Sequence, residues 1–314
     1  MRDFNIIEIP SELGAGMIGA GLGADAFRAA CIRKGYDVFD NIPISRVEYD
    51  RNELYKPIKY QSAKRIEYLA DYYELVAKKI KKIITGRHFP IVLTGDHSNA
   101  IGVLAGVKMA FPKKRLGIIW MDAHGDLHTP YSTPSGNLHG MPVAATLGLD
   151  NKKLANRKPE PGAIELWERV MNIGGIFPKV LPEDIVFIGL RDLEEEEWEI
   201  VRKNKLKFFR VEEVAKKNTN TIAEEVLDHL SDCELIYLSF DVDCLDERVA
   251  PGTGTASPNG FKYSQARNLL RVFWASPKLV GFEVTEINPL EDIKNQTAML
   301  AADLVEDFVT FTRP

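Results

Sequence analysis

Carboxylates and an imidazole occupy alternate positions directly after an apolar run. The run Leu116–Met121 has the length and branching of a buried strand, and Asp122, His124 and Asp126 follow it. Side chains two residues apart in an extended chain point to the same side, so these three side chains should converge. Ligands of open parallel sheets bind at the carboxyl ends of the strands. The sequence therefore predicts a polar site at this strand end.

Two further apolar runs end in the same kinds of residue. One is followed by Asp241 and Asp243, and the other by Asp96 and His97. Carboxylates cannot crowd together unless cations neutralise them or some of them take up protons. The three strand ends therefore predict a site for divalent metal ions. Asp96 would point away from His97 in an extended chain, and we interpret it as a structural or supporting residue.

These strand ends belong to a regular alternation of strands and helices. The predicted strands are Phe4–Ile9, Tyr36–Phe39, Pro90–Thr94, Leu116–Met121, Asp184–Ile188, Lys207–Val211, Glu234–Phe240 and Leu279–Val284. The clearest predicted helices are Ala63–Ile84, Ala100–Ala110, Glu195–Asn204, Thr221–Leu230, Tyr263–Phe273 and Gln296–Phe311. Such alternation predicts an α/β fold in which a mostly parallel, eight-stranded sheet carries helices on both faces. We expect residues 1–314 to form a single domain, with an irregular helical excursion on the surface at about residues 150–182.

Composition and charge exclude several classes of protein. The chain has 314 residues, 45% of them hydrophobic and 27% charged, and a net charge of −5. It has no basic stripe for nucleic acid and no apolar run that could span a bilayer. The strand-like start FNIIEI leaves no room for a signal peptide, and the three cysteines fit no disulfide or zinc pattern, so we expect a cytoplasmic protein.

A glycine-rich stretch after the first strand offers an alternative site. Gly14, Gly16 and Gly19 match the spacing of a dinucleotide-binding loop, and Asp40 follows about twenty residues later. However, the segment PSEL separates the strand from the glycines, whereas that loop requires a tight turn from strand to helix. We favour a flexible loop that lets backbone segments approach closely at the edge of the sheet.

Five motifs together resemble the ureohydrolase family, and most of all its arginase branch. They are GDHSNA, DAHGDLHTP, SGNLHGMP, SFDVDCLD and EVTEINP, in that order and at these separations. The resemblance covers nearly the whole chain. It implies a single α/β domain and a homo-oligomer, either a trimer or a hexamer.

The resemblance also implies a pair of manganese ions held by six side chains. His97 and Asp126 would bind one ion, His124 and Asp243 the other, and Asp122 and Asp241 would bridge them. Cobalt and other divalent metals such as zinc or iron remain open, because oxygen and imidazole ligands suit several of them. A hydroxide bridging two divalent ions and four carboxylates would leave one negative charge, which complements a guanidinium.

Three catalytic residues follow from the same resemblance. Asp126 would take a proton from the bridging hydroxide and pass it to the departing nitrogen. His139 matches the family histidine that shuttles protons or holds the substrate. Glu286 matches the carboxylate that pairs with the guanidinium, and Thr255 matches a threonine near the same group.

The residues that would bind an amino-acid head group match the arginase branch only in part. Ser135 and Asn137 match a serine and an asparagine that bind the substrate carboxylate. His128 stands where many arginases have an asparagine, and Glu194 stands where an aspartate binds the α-amine. Glu197 matches a nearby family carboxylate, but it also lies in a run of four glutamates that is typical of the first turn of a helix.

The resemblance implies manganese-dependent hydrolysis of L-arginine to L-ornithine and urea by the metal-bridging hydroxide. One alternative is a hydrolase of another guanidino or amidino compound, similar to agmatinase or formiminoglutamase. Another is a non-catalytic relative that binds arginine or metal. A dinuclear phosphoesterase would share the metals, but the motifs lack the lysine or arginine that would bind its phosphate.

Overall fold

Eight parallel strands form one sheet in the computed structural model, which describes residues 3–312. The strands are β1 Asp3–Ile9, β2 Ile44–Arg46, β3 His88–Thr94, β4 Leu116–Met121, β5 Ile185–Ile188, β6 Lys207–Phe209, β7 Leu235–Asp241 and β8 Leu279–Thr285. Their order across the sheet is β2-β1-β3-β8-β7-β4-β5-β6. The predicted single-domain α/β fold with an eight-stranded sheet is therefore confirmed, and all its paired strands are parallel.

Helices cover both faces of this sheet and bury one core on each side. They are α1 Gly23–Lys34, α2 Val38–Asn41, α3 Ile66–Thr85, α4 Ala100–Ala110, α5 Pro142–Leu147, α6 Pro161–Met171, α7 Glu195–Asn204, α8 Val211–Lys217, α9 Thr219–His229, α10 Tyr263–Trp274 and α11 Gln296–Thr312. One core includes side chains of α1, α9, α10 and α11. The other includes side chains of α3, α4 and α6. Every residue of β4 is buried, as expected for a central strand covered on both faces.

Two glycines let α4 lie close against α3. A Cβ atom on Gly102 would come within 2.7 Å of the Tyr73 carbonyl oxygen, and one on Gly106 within 2.7 Å of the Ala77 carbonyl oxygen. Any side chain at either position would push the helices apart. Because α4 begins shortly after His97, this packing fixes the segment that carries the histidine.

One predicted strand is wrong. Residues Tyr36–Phe39 do not join the sheet, because Val38–Asn41 form the short helix α2 and the edge strand is Ile44–Arg46. Tertiary contacts override the β propensity of this run. The Tyr36 hydroxyl donates to Asp303 of α11 at 2.5 Å, and the Phe39 ring packs edge to face on Phe27 of α1, with ring centroids 5.7 Å apart. The other seven predicted strands match the structure within about two residues at each end.

The segment at about residues 150–182 contains helix α6 and several short turns. The side chains of Ala163, Trp167 and Val170 in α6 are buried in the same core as those of α3. This helix therefore contributes to the core as well as to the surface. The predicted domain ends at residues 1–2 and 313–314 lie outside the described residues.

Among residues 3–312, the structure contains no helix with both the length and the apolar character needed to cross a membrane.

Candidate metal centre

The predicted metal-binding residues lie at the carboxyl ends of three strands. His97 follows β3, Asp122 to Asp126 follow β4, and Asp241 ends β7. In the sheet the order is β3-β8-β7-β4, so these strands and β8 are neighbours. The fold thus brings together residues that are more than a hundred positions apart in sequence.

Three of the predicted ligands surround a nitrogen atom of a fourth. His97 Nδ1 lies 3.0 Å from Asp122 Oδ2, 3.2 Å from Asp126 Oδ2 and 3.2 Å from Asp241 Oδ2. All four side chains are buried. One imidazole nitrogen and three carboxylate oxygens therefore face a common point.

The other two predicted ligands form a second group beside the first. His124 Nδ1 lies 3.0 Å from Asp243 Oδ2 and 3.5 Å from Asp122 Oδ1. Asp122 thus directs one carboxylate oxygen to each group. The structure brings all six predicted ligands into one site.

These residues fit divalent cations. The atoms His97 Nδ1, Asp122 Oδ2 and Asp126 Oδ2 are buried and make no well-formed hydrogen bond within the described residues. Unpaired buried polar atoms are costly, and a shared cation would satisfy all three. Four carboxylates and two imidazoles without a thiolate suit manganese, cobalt or zinc.

The pKa values of these residues also favour a cation site, because the aspartates repel one another. Burial and the charges of Asp243 and Asp122 raise the pKa of Asp241 well above its usual range. Burial and the charge of Asp122 raise the pKa of Asp126 to about 6. Burial lowers the pKa of His97, but the three close carboxylates more than reverse this and raise it well above its ordinary value. Both the raised pKa values of the aspartates and that of His97 show that further positive charge would stabilise this group.

Asp122, His124 and Asp126 converge because the chain turns after β4, and not because it is extended as predicted. An extended chain would align Asp122, His124 and Asp126, but β4 ends at Met121 and Asp126 has a φ of 54°. A left-handed backbone is unusual for any residue other than glycine, although aspartate tolerates it better than most. The Asp126 carbonyl accepts hydrogen bonds from the amides of Val143 and Ala144 at the start of α5, which hold this conformation.

Glu286 and His139 lie beside the predicted ligands. Glu286 follows β8 with a φ of 63°, and its Oε1 accepts a hydrogen bond from the His97 amide at 2.8 Å. The same oxygen lies 3.2 Å from His139 Nδ1. Burial lowers the pKa of His139, but the bond with Glu286 more than offsets this and raises the pKa above its ordinary value. A carboxylate and an imidazole with a raised pKa thus border the metal-binding residues.

The glycine-rich loop packs over this site. The Gly14 carbonyl accepts from the His139 amide at 3.1 Å, and the Gly14 amide donates to Asp96 Oδ2 at 2.7 Å. The Gly19 amide donates to Glu12 at 2.5 Å. Amides already bonded to carboxylates cannot bind a pyrophosphate, so this loop is not a dinucleotide site. The predicted close approach is confirmed, but it lies above the strand ends and not at the edge of the sheet.

The predicted substrate-binding residues line the same pocket of about 220 Å³ as the predicted ligands. They are His128, Ser135, Asn137, Glu194, Glu197 and Thr255. Thr255 donates to Asp243 Oδ2 at 3.1 Å, so it contacts a predicted ligand directly. Asn137 accepts from Lys64 Nζ at 3.0 Å. Sequence reasoning missed Lys64, which lies 73 residues before its partner and belongs to no motif.

The two residues that depart from the arginase pattern contact each other. His128 Nε2 lies 3.1 Å from Glu194 Oε2 and 3.7 Å from Glu197 Oε2. The hydrogen bond from His128 lowers the pKa of Glu194 to about 2. Burial raises the pKa of Glu197 to about 8, although a hydrogen bond from the Leu127 amide opposes the shift.

The run of glutamates has mixed roles. Glu194 and Glu197 form a capping box at the start of α7, and both also line the pocket. Glu197 is only 2% exposed, so a solvated helix turn does not account for it. Glu195 instead pairs with Arg202 on the exposed side of the helix.

Arg191, just before this helix, fixes the loop that follows β7. Its Nη2 donates to the carbonyl oxygens of Asp243 at 2.7 Å and Ser257 at 2.9 Å. Asp192 lies 3.7 Å from His124 Nε2, beyond hydrogen-bond distance.

Comparisons with known proteins agree with this site. The model of the Arginase family matches residues 2–310. The arginase of Bacillus subtilis (strain 168) is 35% identical over 315 residues, with 98% of each protein covered. The arginase of Bacillus caldovelox is 34% identical over 313 residues, with 97% of each covered. The solved native structure of the Bacillus caldovelox arginase matches with a TM-score of 0.85 and 32% identity, over 100% of this chain and 99% of that chain.

The chain therefore belongs to the arginase family, as its motifs predict, and is an enzyme of that family of hydrolases.

Replacing Asp241 by asparagine should have opposite effects with and without metal. Because burial and neighbouring charges raise the pKa of Asp241, its ionised form is unfavourable in the metal-free folded protein, and asparagine removes this cost. The metal-free Asp241→Asn protein should thus melt at a higher temperature than the wild type. Mn²⁺ at 100 times its dissociation constant should stabilise the wild type by about 2.7 kcal/mol per site, and the variant by much less.

Thermal unfolding with and without Mn²⁺ measures both effects. His88→Asn, at the exposed start of β3, is the matched control and should behave as the wild type. A wild type whose melting temperature no divalent ion raises would contradict the metal centre.

Proposed function

We propose that this enzyme hydrolyses the guanidinium group of L-arginine to L-ornithine and urea, with two Mn²⁺ ions as cofactors. The observation that best supports the proposal is the set of six predicted ligands, five of them buried, beside Glu286 at one pocket. The pocket also has carboxylates at its rim, as binding of a cationic amino acid requires.

In this proposal the two ions share two of the four aspartates. His97 and Asp126 would bind one ion, and His124 and Asp243 the other. Asp122 and Asp241 would bridge the two. Bound divalent cations lower the pKa of water, so that hydroxide is available near neutral pH. Co²⁺ would suit the same ligands.

Glu286 would orient the substrate. Its carboxylate would form charge-assisted hydrogen bonds with the guanidinium, which give both attraction and direction. The His97 amide and His139 hold this carboxylate in place from the protein side. Thr255, bonded to Asp243, would lie near the same group. Fixing the guanidinium carbon close to its nucleophile supplies a large part of the rate enhancement.

Two residues would move protons. Attack of water on the guanidinium carbon gives a tetrahedral intermediate, which expels an amine only after that nitrogen is protonated. Asp126 would accept a proton from the attacking water and pass it to the departing nitrogen. His139, whose pKa is raised by Glu286, would also carry a proton beside the leaving amine.

The pocket residues His128, Ser135, Asn137, Glu194 and Glu197 form what we call its rim. They would bind the amino-acid head group of the substrate. Ser135 and Asn137 would bind the α-carboxylate, with His128 as a further donor. Glu194, whose pKa is lowered, would bind the α-amine as a carboxylate, and Glu197 would lie beside it in the pocket as a further carboxyl group.

The contact between His128 and Glu194 favours one alternative. Each is partly occupied by the other, at 3.1 Å, and both differ from the residues that the arginase branch usually has. Another guanidino or amidino compound, with a different head group, is therefore the second candidate.

The proposal extends to assembly and location. Large apolar side chains such as Ile18, Leu290 and Ile293 are exposed, and a homo-oligomer, trimer or hexamer, would give them a surface to bury. Size-exclusion chromatography with light scattering tests this assembly, and a monomer would contradict it.

We place the enzyme in the cytoplasm, because Cys31, Cys233 and Cys244 are buried thiols with no disulfide.

Urea release from L-arginine by the Mn²⁺-loaded protein is the decisive measurement, with agmatine as the parallel substrate. We expect arginine to be cleaved and agmatine not. Asp126→Asn should lower kcat by a factor of about 100 to 10,000, because it removes a general base and a metal ligand. If metal binds but arginine gives no urea, the second candidate replaces the first.

A double-mutant cycle tests the rim. His128→Asn and Glu194→Asp should each raise the KM for arginine, and the double variant should recover part of that loss because the two residues contact each other. Coupling energies of about 0.5–3 kcal/mol are typical of contacting residues. Strictly additive effects on kcat/KM would show that the pair does not act together on the head group.

A further inference from the structure

A buried carboxylate that the proposed reaction does not use lies within the sheet beneath the site. Glu283 of β8 is 0% exposed and accepts three hydrogen bonds. The donors are the hydroxyl groups of Thr94 at 3.1 Å, Tyr237 at 3.1 Å and Ser239 at 2.9 Å. Burial raises the pKa of Glu283, but the three hydrogen bonds oppose this shift by stabilising the ionised carboxylate, which can only accept.

Ser239 connects this carboxylate to His97. Ser239 of β7 and Glu283 of β8 are direct cross-strand partners, so the sheet register holds them together. The Ser239 oxygen also lies 2.8 Å from His97 Nε2. A serine hydroxyl has one proton, and here it is donated to Glu283. The oxygen can then only accept from His97, which must carry its proton on Nε2.

A proton on Nε2 leaves the other ring nitrogen free to bind a cation. His97 Nδ1 faces three carboxylates at 3.0 to 3.2 Å, in the group proposed to hold one metal ion. The Trp120 ring stacks on the imidazole with centroids 4.1 Å apart and planes 4° apart. The hydrogen bond sets the tautomer, and the stacking sets the plane of the ring.

We propose that Glu283 and Ser239 are positioning residues that act through a serine hydroxyl to hold His97 in the Nε2–H tautomer, with Nδ1 directed at a divalent cation. A carboxylate often orients a metal-binding histidine directly. Here a hydroxyl stands between them. The inference rests on the metal centre proposed above.

Among the described residues, the other histidine of the site has only an exposed and more distant partner for its second ring nitrogen. His124 Nε2 lies 3.7 Å from Asp192, whose side chain is 64% exposed. Loss of the buried connection should therefore weaken the ion at His97 and leave the ion at His124 unchanged.

Calorimetric titration of Mn²⁺ into metal-free protein tests this selectivity. Ser239→Ala leaves His97 Nε2 without its acceptor, and Glu283→Gln lets the serine proton turn toward His97. Both variants should bind one ion about 10 to 100 times more weakly, as is typical when the partner of a ligand is removed. The second ion should bind with wild-type affinity.

Tyr237→Phe is the matched control. It removes one hydroxyl from the same Glu283 oxygen but leaves the contact between Ser239 and His97 intact. We expect a lower melting temperature of the metal-free protein and unchanged affinity for both ions. If Tyr237→Phe weakened metal binding as much as Glu283→Gln, general destabilisation would explain the effect and the proposal would fail.

A spectroscopic measurement reads the tautomer itself. In protein labelled with ¹⁵N-histidine and loaded with diamagnetic Zn²⁺, His97 of the wild type should show a protonated Nε2. A wild type with the proton on Nδ1 would overturn the proposal, as would unchanged affinity for both ions in Ser239→Ala. A wild type that bound no divalent ion at all would instead overturn the metal centre.

Discussion

Four aspartates buried within a few ångströms of one another are the constraint on which the rest of this structure depends. Burial and mutual repulsion raise the pKa values of Asp126, Asp241 and Asp243, so the group is unfavourable without positive charge. A parallel sheet tolerates such a group only at its carboxyl edge, where each strand delivers its side chains to a common point. The strand order β3-β8-β7-β4 and the helices on both faces serve to hold that point fixed.

Local backbone strain is part of the same arrangement. Asp126 and Glu286 both have left-handed backbones, and each is held by hydrogen bonds to a different element. Strain of this kind persists only where the surroundings determine it, and it is concentrated at functional sites. The two strained residues lie on either side of His97, whose amide and imidazole contact Glu286 and Asp126 respectively.

The sequence predicts the strand ends well, because long apolar runs followed by polar residues carry a strong local signal. The prediction fails where contacts with residues distant in the sequence determine the local structure. Residues Tyr36–Phe39 form no strand, because Asp303 and Phe27 hold them elsewhere. Even the successful prediction from alternate spacing has a different cause, since Asp126 reaches the site through a turn. Ser239 gave no signal, because a single small polar residue inside an apolar run is ordinary in a strand.

Polar residues inside a buried strand have a cost that packing alone does not explain. Ser239, Glu283 and Thr94 lie on three adjacent strands where apolar side chains would stabilise the sheet more. From these positions a hydrogen bond between strands connects Glu283 through Ser239 to Nε2, on the far side of the His97 ring. Strands support a site more precisely than loops do, so a tautomer fixed from within the sheet does not depend on the loops that line the pocket. The strands that bring the aspartates together at their carboxyl ends thus also orient the His97 imidazole among them, through Ser239 and Glu283.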